Sequence, residues 1–156
     1  MKLGWTTSPQ ASTRSITNQC IKIDNSFMKY IDPKNVKSPR SYVQTIKPLY
    51  DGGCEGFSIA ILEDINGHCN VGMRWNISEN EWEDQRKIKE EKYCVGMPQS
   101  RGYSVWFILP NSSWKYVPQM IRDEIAGNNR PNKIDISETQ IQEEINKLIN
   151  STICNE

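Results

Sequence analysis

The residues with chemistry to offer fall into two groups. The first centres on Gly52-Gly53-Cys54-Glu55-Gly56, which matches a G-x-nucleophile-x-G pattern. That pattern serves where a sharp turn must expose a nucleophile and free backbone N–H groups for an oxyanion. In hydrolases of the α/β type a strand leads into the turn and a helix leaves it. Here a helix-like segment precedes the loop and a strand follows, so the context is missing. A cysteine nucleophile also needs a base, and the only histidine is His68. It falls at the far end of the strand that begins near Cys54, roughly 20 Å away at about 3.3 Å per residue. That is a poor geometry for a thiol–imidazole couple. A small cysteine-dependent enzyme using Cys54 is therefore the alternative reading, and a small thiol beside a tight turn is the ordinary one.

Other catalytic patterns are weaker still. Cys54, His68, Cys69 and Cys94 supply nitrogen and sulfur ligands but form no C-x-x-C-type knuckle, and the neighbours His68 and Cys69 point to opposite faces of a strand. No metal site is expected from them. No P-loop, G-x-G-x-x-G or HExxH occurs, so no cofactor is expected. The carboxylate pairs Asp51/Glu55 and Glu63/Asp64 have no positioned partner that would make them an acid–base couple.

The second group is polar and aromatic. Gly72-Met-Arg-Trp-Asn76 and Ser100-Arg-Gly-Tyr-Ser-Val-Trp106 bracket an acidic stretch. If their strands are neighbours, Arg74, Asn76, Arg101 and Tyr103 cluster at one end of a sheet. Arginine offers a fixed donor fork for carboxylate or phosphate. Tyrosine offers a stacking face with a polar handle. The set suits a small anionic ligand, a nucleotide or an acidic peptide. The ordinary explanation is that Arg74 pairs with a carboxylate of residues 79–84 and the aromatics are core. The functional expectation is a non-enzymatic cytoplasmic binding module that recognises a protein partner or a small anionic ligand. Compact, neutral domains of this kind suit inhibitor, immunity or anti-defence roles.

These groups need a scaffold, and hydrophobic periodicity supplies one. Residues 1–20 are rich in Ser and Thr and read as a loosely attached lead-in, and Cys20–Ile23 reads as a short strand. Ser38-Pro39 reads as a helix start, with Tyr42, Val43, Ile46 and Leu49 at helical spacing until Pro48 intervenes. Phe57–Leu62 and Cys69–Ile77 flank an Asn66-Gly67 turn and read as a hairpin. A two-residue loop would set apolar residues opposite polar ones. A three-residue loop, Ile65–Gly67, pairs Phe57 with Trp75, Ile59 with Met73 and Ile61 with Val71. A slip of one residue inverts a strand's faces, so the second register is expected.

Residues 78–92 are almost wholly polar and read as an exposed, charged excursion, with Trp82 and Ile88 as a docking element if exposed. Tyr103–Leu109 is apolar without alternation and reads as a central strand covered on both faces. A helix carrying Val117, Met120, Ile121 and Ile125 should stop at Gly127. Ser137-Glu-Thr-Gln140 is a capping box for a last helix with the stripe Ile141, Ile145, Leu148 and Ile149. The expected architecture is α+β: a single domain over residues 1–156, with a three- to four-stranded antiparallel sheet and two or three helices packed on one face.

Composition bounds the function classes. The chain has 156 residues with 19 basic and 19 acidic side chains. Zero net charge argues against a general polyanion binder. The charge is uneven, however: residues 1–50 hold eight basic and two acidic residues. Nucleic-acid binding through that basic front is the weakest of the readings, with a solvated face as its ordinary counterpart. Five cysteines without a paired spacing, and no apolar leader, point to a reduced cytoplasmic protein. Nothing in the sequence sets the oligomeric state, and a homodimer is allowed.

Overall fold

The computed structural model describes residues 19–21 and 27–153, with side chains over 28–152. The expectation for residues 1–20 therefore lies, apart from 19 and 20, outside the described residues. The elements in chain order are β1 (Gln19–Ile21), β2 (Phe27–Tyr30), β3 (Thr45–Asp51), β4 (Phe57–Glu63), β5 (Cys69–Trp75), α1 (Glu79–Trp82), α2 (Gln85–Lys89), β6 (Tyr93–Cys94), β7 (Gln99–Ser100), β8 (Tyr103–Ser104), β9 (Phe107–Ile108), α3 (Val117–Gly127) and α4 (Glu138–Ile153). The fold is α+β. Its main sheet is antiparallel and four-stranded, in the order β3-β4-β5-β9. A smaller sheet pairs β1 with β2 antiparallel and β2 with β6 parallel, and β7–β8 is a separate hairpin. No helix among the described residues is long and apolar enough to cross a membrane.

The β4–β5 register is the one that the face argument selects: Phe57 lies opposite Trp75, Ile59 opposite Met73, and Ile61 opposite Val71. Asp64 closes the loop. Its N–H donates to the His68 carbonyl at 2.9 Å, and its carboxylate accepts the N–H groups of Asn66 (2.7 Å) and His68 (2.9 Å). Gly67 takes the left-handed φ of 81° that such a loop requires.

Both faces of this sheet are covered. On one, Tyr50, Phe57, Ile59, Ile61 and Val71 pack against Trp114, Val117, Ile121, Ile141, Ile145 and Leu148. The α4 stripe is thus seated as its spacing implies. Its capping box forms, with Gln140 N–H donating to Ser137 Oγ at 3.2 Å and Ser137 N–H to Gln140 Oε1 at 2.8 Å. On the other face, Ala60 and Leu62 pack against Val36, Val43 and Trp106.

Three expectations are corrected. The helix read from Ser38-Pro39 to Leu49 is instead a turn leading into β3. Val43, Thr45 and Ile46 are β-branched and pair well in a sheet. Pro48 cannot donate to a ladder, but β3 is an edge strand, and its register shifts between Pro48 and Tyr50. The expected central strand Tyr103–Leu109 is broken in two. Trp106 leaves the ladder to bury its ring, donating its Nε1 to the Val36 carbonyl at 2.9 Å and its backbone N–H to Ser38 at 2.8 Å. What remains, β9, lies at the sheet edge. Finally, Trp82 and Ile88 are not an exposed docking element: α1 and α2 fold over Met28, Tyr30, Cys54, Ile77 and Cys94, with both side chains packed inward. A smaller difference ends α3, where the left-handed residue is Asn129 rather than Gly127.

Candidate anion-binding cleft

The structure divides the four candidate residues into two pairs. Arg74 and Asn76 are 2% and 0% exposed, whereas Arg101 and Tyr103 lie at the surface. The alternation of β5 explains the first pair. Trp75 faces the helices and their edge, so Arg74 and Asn76 turn to the opposite, covered face.

Asn76 is spent on a buried polar network. Its Nδ2 donates to Asp51 Oδ1 at 2.9 Å and to the Gly53 carbonyl at 2.8 Å, and its Oδ1 accepts from Ser58 Oγ at 2.7 Å. Asp51 also accepts from Tyr30 Oη at 2.9 Å and from the Gly53 N–H at 3.0 Å. Burial, and then the Asp51 charge, push the Tyr30 phenol well above its usual value, so it stays a donor. The network ties β2, β3, β4 and the residue that follows β5 together.

Arg74 donates through Nη2 to the Val95 carbonyl, while Nε and Nη1 have no hydrogen-bond partner among the described residues. Burial pushes its guanidinium down to about 10, and the Glu81 charge opposes this, so it remains protonated at neutral pH. Glu81 anchors the same corner. Its carboxylate accepts from Lys87 Nζ, from Ser78 N–H at 3.0 Å, from Val95 N–H at 2.7 Å and from Gly96 N–H at 2.9 Å. Burial raises its pKa, but these donors together outweigh burial and hold it below the usual value. The ordinary explanation of Arg74, a carboxylate within residues 79–84, is therefore met electrostatically by Glu81.

Arg101 and Tyr103 line an open cleft of about 550 Å³ between the β7–β8 hairpin and the segment following β2. The opposite wall brings Ile31, Asn35, Val36, Lys37, Ser38 and Arg40, and the hairpin adds Ser100 and Ser104. No lining residue is acidic. Lys37, Arg40 and Arg101 form no ion pair among the described residues. The nearest acid in sequence, Asp32, accepts the Lys34 N–H at 2.9 Å as the cap of a 3-10 turn over Pro33–Asn35. The side chains of Asn35, Ser38 and Ser100 add polar groups to the lining. Tyr103 is 74% exposed at the rim. Ser104 closes the back wall by donating to the Val95 carbonyl at 2.7 Å, the acceptor it shares with Arg74.

Lys37 and Arg40 are the residues that sequence reasoning did not place in the site. The signal was present as the basic excess of residues 1–50. It could not be located, because Ser38-Pro39 reads as a helix start and not as the wall of a cleft.

A second depression, of about 340 Å³, lies between the sheet and the end of α4, lined in part by Lys47, Cys69, Glu144 and Lys147. Its charges are internally satisfied: Lys47 pairs with Glu144 at 2.6 Å, and Lys147 with the same carboxylate at 3.2 Å. The first cleft is the one with unspent charge. Elsewhere, Trp75, Met97 and Phe107 are about half exposed along one edge of the main sheet, where Trp75 and Met97 bridge backbone to backbone.

Cys54 is buried at 3% exposure and is disulfide-bonded, while Cys69 and Cys94 stand outside any disulfide. This corrects the expectation of five reduced cysteines. The Cys54 partner lies outside the described side chains. His68, at the opposite end of β4, holds the Asp64 carboxylate at 3.1 Å. Among the described residues, no three His, Cys, Asp or Glu side chains converge as metal ligands would. Comparison with known protein families, with curated proteins and with solved structures finds no match.

Proposed function

We propose that this protein is a non-enzymatic binding module that recognises an anionic group in the cleft between residues 31–40 and the β7–β8 hairpin. The observation that carries the reading is the lining: three cations, Lys37, Arg40 and Arg101, with no acid among the lining residues. Unpaired like charges held around one concavity repel one another, and an anion relieves that repulsion. The basic front of the chain and the Arg101–Tyr103 pair enter the same site under this reading. Arg74 supports it from behind and does not touch the ligand.

The cysteine-enzyme alternative retains only its glycine-rich loop, because a sulfur held in a disulfide has no thiolate to attack with. The same bond weighs against the reducing cytoplasm as the protein's location and favours an oxidising compartment.

Isothermal titration with citrate and with inorganic phosphate tests the proposal. Saturable binding is expected, and Arg40→Ala combined with Arg101→Ala should abolish it. Thermal stability should barely move, since surface substitutions shift stability by about 0.5 kcal/mol or less. A titration that the double substitution leaves unaltered overturns the reading.

The half-exposed Trp75, Met97 and Phe107 favour a second form of the same reading, in which a protein partner carries the anion. Phe107→Glu should then weaken a protein ligand while leaving the citrate titration unchanged.

A further inference from the structure

We infer that the anion is the phosphate of a nucleoside phosphate, with Tyr103 as the platform for its base. The inference rests on the anion reading above and deepens it. Three features of the hairpin carry it.

The first is the turn. Arg101 and Gly102 join Ser100 to Tyr103, which pair across the hairpin, and both have left-handed backbones, with φ of 51° and 80°. A two-residue loop of that form favours Asn, Asp or Gly at its first central position. An arginine there is a residue type the turn disfavours, and it lines the cleft. An observed backbone outlier of this kind is a pointer to function.

The second is the aromatic. Tyr103 is exposed to 74% beside cations that have no acid to hold. A cleft for phosphate alone has no use for a solvent-facing ring. A ring next to a phosphate site offers a base a face to stack on, which every nucleobase can use. The third is size and polarity. About 550 Å³ is within the usual range for small-molecule sites. Asn35, Ser38 and Ser100 add hydrogen-bonding groups for sugar hydroxyls and phosphate oxygens. The neutral net charge of the chain fits one or two phosphates better than a long polyanion.

The test titrates the full chain with inorganic phosphate, citrate, adenosine, the four ribonucleoside 5′-monophosphates and a single-stranded hexanucleotide. At least one monophosphate should bind about tenfold or more tightly than both inorganic phosphate and adenosine. Tyr103→Ala should remove that advantage, about tenfold being the size of a base–aromatic stack, and leave phosphate binding intact. Arg101→Asn should weaken every anion while the melting temperature holds or rises, because Asn suits the turn. A hexanucleotide tighter than any monophosphate identifies a strand as the source of the nucleotide, and equal affinities identify the free nucleotide; both support the inference. If citrate and phosphate bind but no monophosphate exceeds them, or if Tyr103→Ala changes nothing, the inference is overturned and the anion reading stands. If no anion binds, both fall.

Discussion

Arg74 and Arg101 make the clearest contrast between side chains of one type. Arg101 is exposed, on a turn, and without an acid partner. Arg74 is sealed beneath Val95 and Gly96, with Glu81 as its nearest electrostatic counterweight. Arg74→Ala removes the guanidinium donor to the Val95 carbonyl and opens space behind it, while Glu81 keeps Lys87, so it should cost about 2 kcal/mol or more. Chemical denaturation reads that loss. Arg101→Ala should cost almost nothing in the same experiment and weaken anion binding. Asp51 sets a second residue-scale expectation. Tyr30→Phe deletes the donor that serves both of its carboxylate oxygens, at 3.0 and 2.9 Å. A buried acceptor left short of a donor costs about 1–3 kcal/mol, and the denaturation midpoint should fall accordingly with an unchanged slope. Sequence reasoning brought Arg74, Asn76, Arg101 and Tyr103 into one group. It could not see that Arg74 and Asn76 turn inward, Arg74 beneath Val95 and Asn76 onto Asp51 and Gly53, since those contacts join residues distant in sequence.

At the scale of elements, α1 and α2 behave as a cap held by one carboxylate. Glu81 is held below its ordinary value of 4.5 in the fold by the donors around its carboxylate, which outweigh its burial. A group with a depressed folded pKa contributes stability that is fully present above its unfolded value and is lost as pH falls through its folded value. Acid unfolding should therefore begin below about pH 4.5, and the stability of Glu81→Gln should depend less on pH there. At pH 7 the same variant should be less stable by about 3 kcal/mol, because Arg74 is left as an uncompensated buried charge. Circular dichroism melts across pH 3–7 would show both effects; equal pH dependence in the two proteins would contradict this account of the cap. Gly96 belongs to the same corner, with a φ of 68° and no room for a Cβ against the Trp75 carbonyl and Arg74 Nη2.

The elements that the sequence alone resolved are those with local signals. The β4–β5 hairpin has an alternation that only one register satisfies, and α4 has its cap and its stripe. Those it missed are governed by competition. Tyr42–Leu49 satisfies helical spacing, yet β3 forms because β4 offers it a ladder. Tyr103–Leu109 is apolar throughout, yet it breaks because Trp106 finds a better site against Val36 and Val43.

At the scale of the molecule, α3, α4 and the 3-10 helix Asn111–Tyr116 that carries Trp114 seal one sheet face, and the chain around Val36 and Trp106 seals the other. The cleft is thus an edge feature, built where the covering segment meets a small hairpin, with Lys37, Arg40 and Arg101 exposed and outside the core clusters. Substitutions in the cleft should accordingly separate binding from folding. The disulfide at Cys54 is the other global constraint. In denaturant without a reductant, Cys54 should resist iodoacetamide while Cys69 and Cys94 are modified; after reduction it should label with them. Peptide mass mapping reads the difference, and labelling of Cys54 before reduction would show that the bond is absent.

The central claim is that the cleft between residues 31–40 and the hairpin receives an anion. Phosphate titration followed by amide and arginine Nε–H nuclear magnetic resonance shifts tests it most directly. Saturable shifts are predicted at Lys37, Ser38, Arg40, Ser100, Arg101 and Ser104, with Arg74 Nε–H unmoved at low occupancy. Shifts scattered over the surface without saturation, or centred on the paired charges around Glu144, would contradict the account.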